Sequence, residues 1–244
     1  MALGFLSEIF VSFQGEGIHA GRRQLFIRLA GCNLRCRYCD TPDSLERVAI
    51  YRVFDRDGGS REVANPASVA AVVADALLLM EGDTVDGLSV TGGEPLMQAE
   101  FVAELLADTR LPRPRLLETN GMLPDPLRMV LPVVDVVSMD VKLPSNSGER
   151  AFWAQHASFL DLAGPKAYVK VLIDAATSVA EVERAAALVG EQSPQAAVFL
   201  QPITSPQGRI DLDAAGLARF FAAARRRCEN VRVLPQAHKT LAIQ

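Results

Sequence analysis

Six apolar, β-rich runs alternate with helical patterns along this chain, and no other feature narrows the fold as far. The runs fall at residues 24–30, 87–91, 115–118, 133–138, 168–173 and 198–201, with a seventh at 231–234. Helical patterns lie near 67–80, 98–107, 152–162, 179–189 and 214–227. Parallel neighbours in a sheet need a crossover long enough to hold a helix, so this alternation predicts an α/β fold built on a parallel sheet. The first helix has readable ends, with Asn65 placed to N-cap it, Pro66 in its first turn and Gly82 just past its end. Asp57-Gly58-Gly59 separates 48–54 from 61–63, which predicts a β-hairpin inserted at about 47–64. Without repeats or a long linker, residues 1–244 read as one domain.

Composition sets the class of protein. The chain has 244 residues, 49% hydrophobic, and a formal net charge of −4. A chain this long can bury a sizeable core without disulfides. A mildly acidic balance gives no support to nucleic-acid or membrane-surface partners. The longest stretch free of charge, residues 192–208, contains three prolines, which excludes a spanning helix there. No signal-peptide pattern precedes Glu8 and Glu16, and the expected location is cytoplasmic.

The polar residues that need explaining cluster after the strands. Cys32-Asn33-Leu34-Arg35-Cys36 follows the first, Gly92-Gly93-Glu94-Pro95 the second and Thr119-Asn120-Gly121 the third. Asp140 and Lys142 follow the fourth and Pro202-Ile203-Thr204 the sixth. In a β/α barrel or partial barrel, active sites form at the carboxyl ends of the strands, so these loops are predicted to converge on one face.

Three of the four cysteines, Cys32, Cys36 and Cys39, fall within eight positions, and Tyr38 precedes the last. Thiolates at this spacing can hold three irons of a [4Fe–4S] cube and leave the fourth open to a ligand. The competing reading is zinc completed by Cys228 or a histidine. Cys228 itself reads as a buried apolar thiol.

These residues resemble the radical S-adenosylmethionine (SAM) superfamily, whose signature is CxxxCx(aromatic)C followed by a GGEP-type motif, here Thr91-Gly92-Gly93-Glu94-Pro95. The resemblance implies a partial (β/α)6 TIM-like barrel of the radical SAM type, a cluster whose open iron chelates SAM, and reductive cleavage of SAM to a 5′-deoxyadenosyl radical. The glycines would let the backbone approach the methionine ammonium.

Two further segments narrow the resemblance. Phe10-Val11-Ser12-Phe13-Gln14-Gly15-Glu16-Gly17 stands near the start, and Leu234-Pro235-Gln236-Ala237-His238-Lys239 with the terminal Gln244 near the end. With Arg28 and the Asp40-Thr41-Pro42 that follows the cysteines, they look like the 7-carboxy-7-deazaguanine synthase family, which makes the 7-deazapurine precursor of queuosine. That resemblance implies a pterin pocket lined by Phe13, Gln14, Gly15, Glu16, Arg28 and Thr91, closed by His238 and Gln244. It implies SAM contacts from Gly93, Glu94, Ser138, Asp140, Lys142, Gln201, Pro202, Ile203 and Thr204, with Glu94 on the ammonium. It implies Mg²⁺ on Thr41, an electron donor such as flavodoxin or ferredoxin, and a homodimer. Many family members have Ser-Pro-Lys where this chain has Asp140-Val141-Lys142, and many end in proline.

The chemistry suits these residue types. Gln14 and Glu16 can pair with a guanine-like edge, and Arg28 offers a planar partner for the substrate carboxylate. Arg28 also interrupts a strand written for burial, so it should face the barrel interior with a partner. Thr41 could instead cap the turn before Pro42, and the cluster loop is expected to point Asp40 elsewhere. Two other functions share some of these motifs: an activase that installs a glycyl radical on a protein, and a non-catalytic iron–sulfur or zinc-binding adaptor. The first lacks the Gln-Gly-Glu-Gly and terminal His-Lys segments, and the second would not cleave SAM.

Overall fold

A computed structural model of the chain describes residues 2–205, 207–241 and 243. The chain opens with β1 (Leu3–Gly4), β2 (Leu6–Phe13) and β3 (Arg23–Leu29), followed after the cysteine loop by β4 (Ile50–Phe54), β5 (Ser60–Ala64) and β6 (Ala67–Ser68). Then come α1 (Val69–Met80), β7 (Leu88–Gly92), α2 (Ala99–Ala107), β8 (Arg115–Thr119), α3 (Pro124–Val130), β9 (Val136–Val141), α4 (Pro144–Ser147) and α5 (Trp153–Ala163). The remainder is β10 (Ala167–Ile173), α6 (Val179–Gln192), β11 (Val198–Pro202), α7 (Ala214–Arg225), β12 (Val231–Val233) and α8 (Ala237–Leu241).

Ten strands form one sheet in the order β12-β11-β10-β9-β8-β7-β3-β2-β4-β5. From β3 to β12 every pairing is parallel, which is the alternation legible in the sequence. The strands curl into an open, partial barrel, and β2 adds to it antiparallel to β3. The predicted hairpin is β4 and β5, and β4 pairs with β2, so the insertion extends the main sheet.

Strand alternation separates two interiors. All seven residues of β10 are buried. Ala167, Val169, Val171 and Ile173 join the main core with the apolar faces of the helices. Tyr168 points the other way, into the barrel, where it packs with Leu116, Ala197 and Phe199 in a small floor cluster. Cys228 is 4% exposed within the main core, as an apolar thiol should be.

Two local expectations are corrected. The N-cap of α1 is Ser68, whose hydroxyl accepts from Ala71 N, not Asn65. The Asn65 amide is occupied elsewhere: it accepts from Leu6 N at 3.0 Å and donates to Leu6 O and Val48 O, stitching the hairpin to β2. Residues 67 and 68 pair with β1 before the helix starts, and Pro66 precedes that pairing. The strand β2 and the short helices α3 and α4 carried too little periodicity to be read, because β2 mixes Ser7, Glu8 and Ser12 among its apolar residues and both helices are under eight residues.

Candidate active site

The cysteine loop leaves β3 at Gly31, whose φ of +100° favours glycine, and is pinned by Gly31 N to Ser44 O and Cys32 N to Leu45 O. Cys32, Cys36 and Cys39 are half-buried free thiols on the wall of one cavity of about 430 Å³. Burial pushes the Cys32 thiol upward and the Cys36 thiol to about 11. The residue groups whose ligand atoms all lie within 4.8 Å of one another do not include these thiols, among the described residues. One zinc at about 2.3 Å from each sulfur would draw them to about 3.8 Å apart, whereas separate irons of a cube need the wider spread. The donor set fits a cluster.

The glycines at the end of β7 have a packing reason besides the one expected. A Cβ on Gly92 would meet Leu29 O at 2.2 Å, and one on Gly93 would meet Gly31 O at 2.3 Å and Ser44 O at 2.5 Å. Two backbones already fill that space, so glycine is required for the β7 loop to pack on the cysteine loop. Gly93 still lines the cavity. Glu94 does not: it is fully buried and faces the protein. Its carboxylate accepts from Leu96 N at 3.0 Å, Thr119 Oγ1 at 2.8 Å and Asn120 N at 2.8 Å. Burial raises its pKa to about 7 against those hydrogen bonds. Asn120 in turn donates to Asn33 Oδ1 at 2.8 Å, so Glu94 positions the cysteine loop from behind.

The deep end of the cavity is a charged floor. Glu16 pairs with Lys170 through Oε2, while Oε1 accepts from Gln201 Nε2 at 2.8 Å and Gln236 Nε2 at 3.0 Å. Lys170 also sits 3.2 Å from Asp140 Oδ1 and 3.7 Å from Glu118 Oε2. Burial alone would raise Glu16 and Asp140, but the lysines outweigh it and hold both low, Lys170 beside Glu16 and Lys142 with Lys170 beside Asp140. Gln14 is committed to the protein: Oε1 accepts from Glu16 N, and Nε2 donates to Glu118 Oε1 at 3.0 Å and to Gln24 Oε1 at 3.3 Å. It buttresses Glu118 instead of offering its amide. Ser89 Oγ also donates to Glu118 Oε1, so Oε2 is the oxygen Glu118 presents to the cavity.

The opposite wall carries Arg28, which interrupts β3 as expected and meets Glu8 Oε1 at 2.6 Å. Its guanidinium lies 5.5 Å from the Phe10 ring centre, and its strand neighbour in register is Thr91, also on the wall. Phe13 is 43% exposed at the rim, under the Arg23 guanidinium. Thr41 makes no side-chain cap to the turn that follows; its hydroxyl faces the cavity 4.0 Å from Cys39 Sγ. Asp40, contrary to expectation, also faces the cavity, where Oδ2 accepts from Gln236 Nε2 at 3.1 Å and pairs with Lys239 at 3.2 Å.

His238 closes this end from α8, seated on Gly15, where a Cβ would be 2.2 Å from His238 Nδ1. Ala237 N donates to Gly15 O at 3.0 Å. Glu16, Asp40 and His238 lie within 4.8 Å of one another, but Lys170, Gln236 and Lys239 already occupy both carboxylates.

Asp140, Lys142 and Gln201 line the cavity as expected, with Lys142 2.9 Å from Asp140 and above the Tyr38 ring. Ser138, Pro202, Ile203 and Thr204 do not. Ser138 is one inward step below Asp140, opposite Tyr168 on the floor. The Thr204 backbone is clamped by Gln236 Oε1 and Lys239 Nζ. Gln244 lies outside the described residues. Lys170 and Glu118 belong to the site without having been singled out, and Asn120 and Gln236, named only within their segments, join it as well. Lys170 carried the signal that marks Arg28, a charge inside a strand written for burial.

The description of the radical SAM superfamily matches residues 26–184. A 7-carboxy-7-deazaguanine synthase of Geobacter sulfurreducens is 34% identical over 96% of this chain and 95% of its own. One of Methanopyrus kandleri is 36% identical over 95% and 91%. The crystal structure of QueE from Escherichia coli superposes with a TM-score of 0.61 at 19% identity, over 97% of this chain and 95% of that one, and so shares the fold. Relatives of this identity, matched from end to end, show that the chain belongs to the 7-carboxy-7-deazaguanine synthase family of radical SAM enzymes.

Proposed function

We propose that the chain converts 6-carboxy-5,6,7,8-tetrahydropterin to 7-carboxy-7-deazaguanine with loss of ammonia, as a radical SAM lyase of 7-deazapurine and queuosine biosynthesis. One observation carries this reading beyond family membership: the three thiols, the Arg28 guanidinium and the Glu16–Glu118 floor face a single cavity. Its volume lies within the range of small-molecule sites. When bound on Cys32, Cys36 and Cys39, a [4Fe–4S] cluster with SAM supplies a carbon radical able to take a hydrogen atom from C6 of the substrate.

The chain's own residues hold the pterin for that step. Glu118 Oε2 and the remaining lone pair of Glu16 Oε2 accept from the ring N–H and exocyclic amine. Gln201 Oε1 is a buried acceptor without a protein partner among the described residues. Arg28 keeps its terminal nitrogens for the substrate carboxylate while Glu8 fixes its Nε. Thr41 is the hydroxyl suited to a Mg²⁺ ion shared with that carboxylate, because Mg²⁺ keeps several waters and needs few protein ligands. Asp140 and Lys142 stand on the side toward the cysteines and suit the charged end of SAM. His238 and the α8 segment cover the pterin and exclude competing hydrogen donors. A cytoplasmic setting would keep the thiols reduced and provide a flavodoxin- or ferredoxin-like donor, and the family resemblance suggests a homodimer.

Anaerobically reconstituted enzyme, given the pterin, SAM and a reductant, should release 7-carboxy-7-deazaguanine, identified by mass, with many turnovers per SAM. Stoichiometric SAM consumption during turnover, or no deazaguanine product, would overturn this reading.

A further inference from the structure

Lys170 is 3% exposed at the centre of β10, and its ammonium is ringed by carboxylates from three other elements. Glu16 reaches it from the loop after β2, Glu118 from β8 and Asp140 from β9. A lone buried ammonium would be costly, so this strand tolerates it only because the three acids surround it. The converse matters more for recognition. Two of those acids, Glu16 and Glu118, form the floor under the pterin, and burial would favour a proton on Glu16 were no buried cation beside it.

We propose that Lys170 is the positioning residue that sets the hydrogen-bond polarity of the pterin floor, holding Glu16 as an acceptor so that the pocket selects a ring with an amine at C2 over one with an oxygen there. The proposal rests on the pterin reading above and adds a specificity determinant to it. An ionised Glu16, with Glu118 Oε2 beside it, accepts from the 2-amine and adjacent ring N–H. A 2-oxo ring turns a carbonyl oxygen toward the same carboxylates, two acceptors facing each other with no proton between them. A protonated carboxyl would donate to that carbonyl and erase the distinction.

Geometry limits what else could do this. Lys142 spends its ammonium on the far oxygen of Asp140, 2.9 Å away. Lys239 spends its ammonium on Asp40 and on Gln236 Oε1. His238 and Asp40 approach Glu16 from α8 and the cysteine loop, and Tyr168 lies one inward step below Lys170 on its own strand. Burial lowers the Lys170 pKa, but Asp140, Glu16 and Glu118 together raise it well above the usual lysine value, so its charge persists over the working pH range.

The test is binding, not turnover. Cluster-loaded enzyme with SAM and no reductant is titrated by calorimetry with 6-carboxypterin and with 6-carboxylumazine, which has the same ring and carboxylate but oxygen at C2. Wild type should prefer the pterin by at least about 100-fold, as sites built to hydrogen-bond an N–H do, at every pH from 6.5 to 9. In Lys170→Met the preference should fall below about tenfold at pH 7 and recover toward pH 9, where the freed Glu16 carboxyl ionises, and Lys170→Arg should keep it. A folded Met variant with the wild-type preference overturns the proposal. Should that variant not fold, wild type still decides: a preference that shrinks tenfold between pH 9 and 6.5 means that Glu16 is not held ionised and overturns the proposal. Failure of wild type to bind either ring would instead overturn the pterin reading.

Discussion

Gly15→Ala separates closure of the site from its construction. No positive φ is required at Gly15, so alanine brings no backbone strain, but its Cβ would lie 2.2 Å from His238 Nδ1 and 2.7 Å from His238 N. The imidazole can swing aside; the backbone nitrogen cannot. To regain ordinary contact, α8 must withdraw by close to 1 Å at its backbone. That shift breaks the bond from Ala237 N to Gly15 O, now 3.0 Å, and stretches those from Gln236 Nε2 to Glu16 and Asp40, now 3.0 and 3.1 Å. At a net worth of about 0.5–1.5 kcal/mol each, the three bonds sum to about 2–4 kcal/mol lost from the closed segment, enough to make the open form dominant if closure is only modestly favourable. Affinity for 6-carboxypterin, read by calorimetry on the cluster-loaded enzyme, should fall at least about tenfold, by the fraction of molecules still closed. Because α8 buries none of its described residues, melting temperature should change by no more than about 2 °C, and iron content should not change. Unaltered affinity, or a large drop in melting temperature, would refute the reasoning.

Three further outcomes follow from the same geometry. Glu94 carries a pKa raised to about 7, so its contribution to stability is full below the unfolded value of 4.5 and is lost as pH rises through 7. The unfolding free energy of wild type relative to Glu94→Gln should therefore decline by about 2.5 kcal/mol between pH 5 and 8 in chemical denaturation, and a flat difference would count against the assignment. Activity should rise with added Mg²⁺, and Thr41→Ala should weaken that response while leaving cluster content and uncoupled SAM cleavage intact; an identical response in both proteins would leave Thr41 without a role at the metal. Cys228→Ala should retain full iron and sulfide after reconstitution and lose about 1 kcal/mol of stability, the order of one buried methylene.

What could be read from the sequence depended on the period of the signal. The parallel strands announced themselves as apolar runs, and the loops after them converge because β3, β7, β8, β9, β10 and β11 point their carboxyl ends the same way. The inward face was harder to read, because a strand buried on both sides shows no polar alternation to mark it. Lys170 in Ala-Tyr-Val-Lys-Val-Leu-Ile and Glu118 in Arg-Leu-Leu-Glu-Thr are lone charges in such runs, and they become neighbours only through the register of β8, β9 and β10. Glu94 was misplaced for a related reason. Its motif marks the right loop, but whether a side chain turns toward the ligand or back into the turn depends on acceptor demand from Leu96, Thr119 and Asn120, residues that no local pattern ties to it. The Gln236 amide bridges Glu16 and Asp40 across more than half the chain's length, a contact that spacing cannot reveal.

The charge of the cavity bears on the proposed Mg²⁺ site. Its described walls carry Glu8, Glu16, Asp40, Glu118 and Asp140 against Arg28, Lys142, Lys170 and Lys239, so acids exceed permanent bases by one. Every one of those bases is already in an ion pair: Lys170 with Glu16 and Asp140, Lys142 with Asp140, Lys239 with Asp40 and Arg28 with Glu8. An anionic substrate therefore meets no uncompensated positive charge, and the Arg28 guanidinium offers it geometry more than attraction, because Glu8 cancels most of its field at a distance. A divalent cation beside Thr41 would supply the missing charge where it is needed. Thr41, Arg28 and Glu8 share the wall between the main cavity and a second one of about 540 Å³. Substrate carboxylate and Mg²⁺ would then enter as a near-neutral unit, with Arg28 orienting the carboxylate and the ion holding it, and neither sufficient alone. Removing Mg²⁺ should consequently weaken the carboxylated pterin far more than the same pterin lacking its carboxylate, whose contacts lie with Glu16 and Glu118 at the floor.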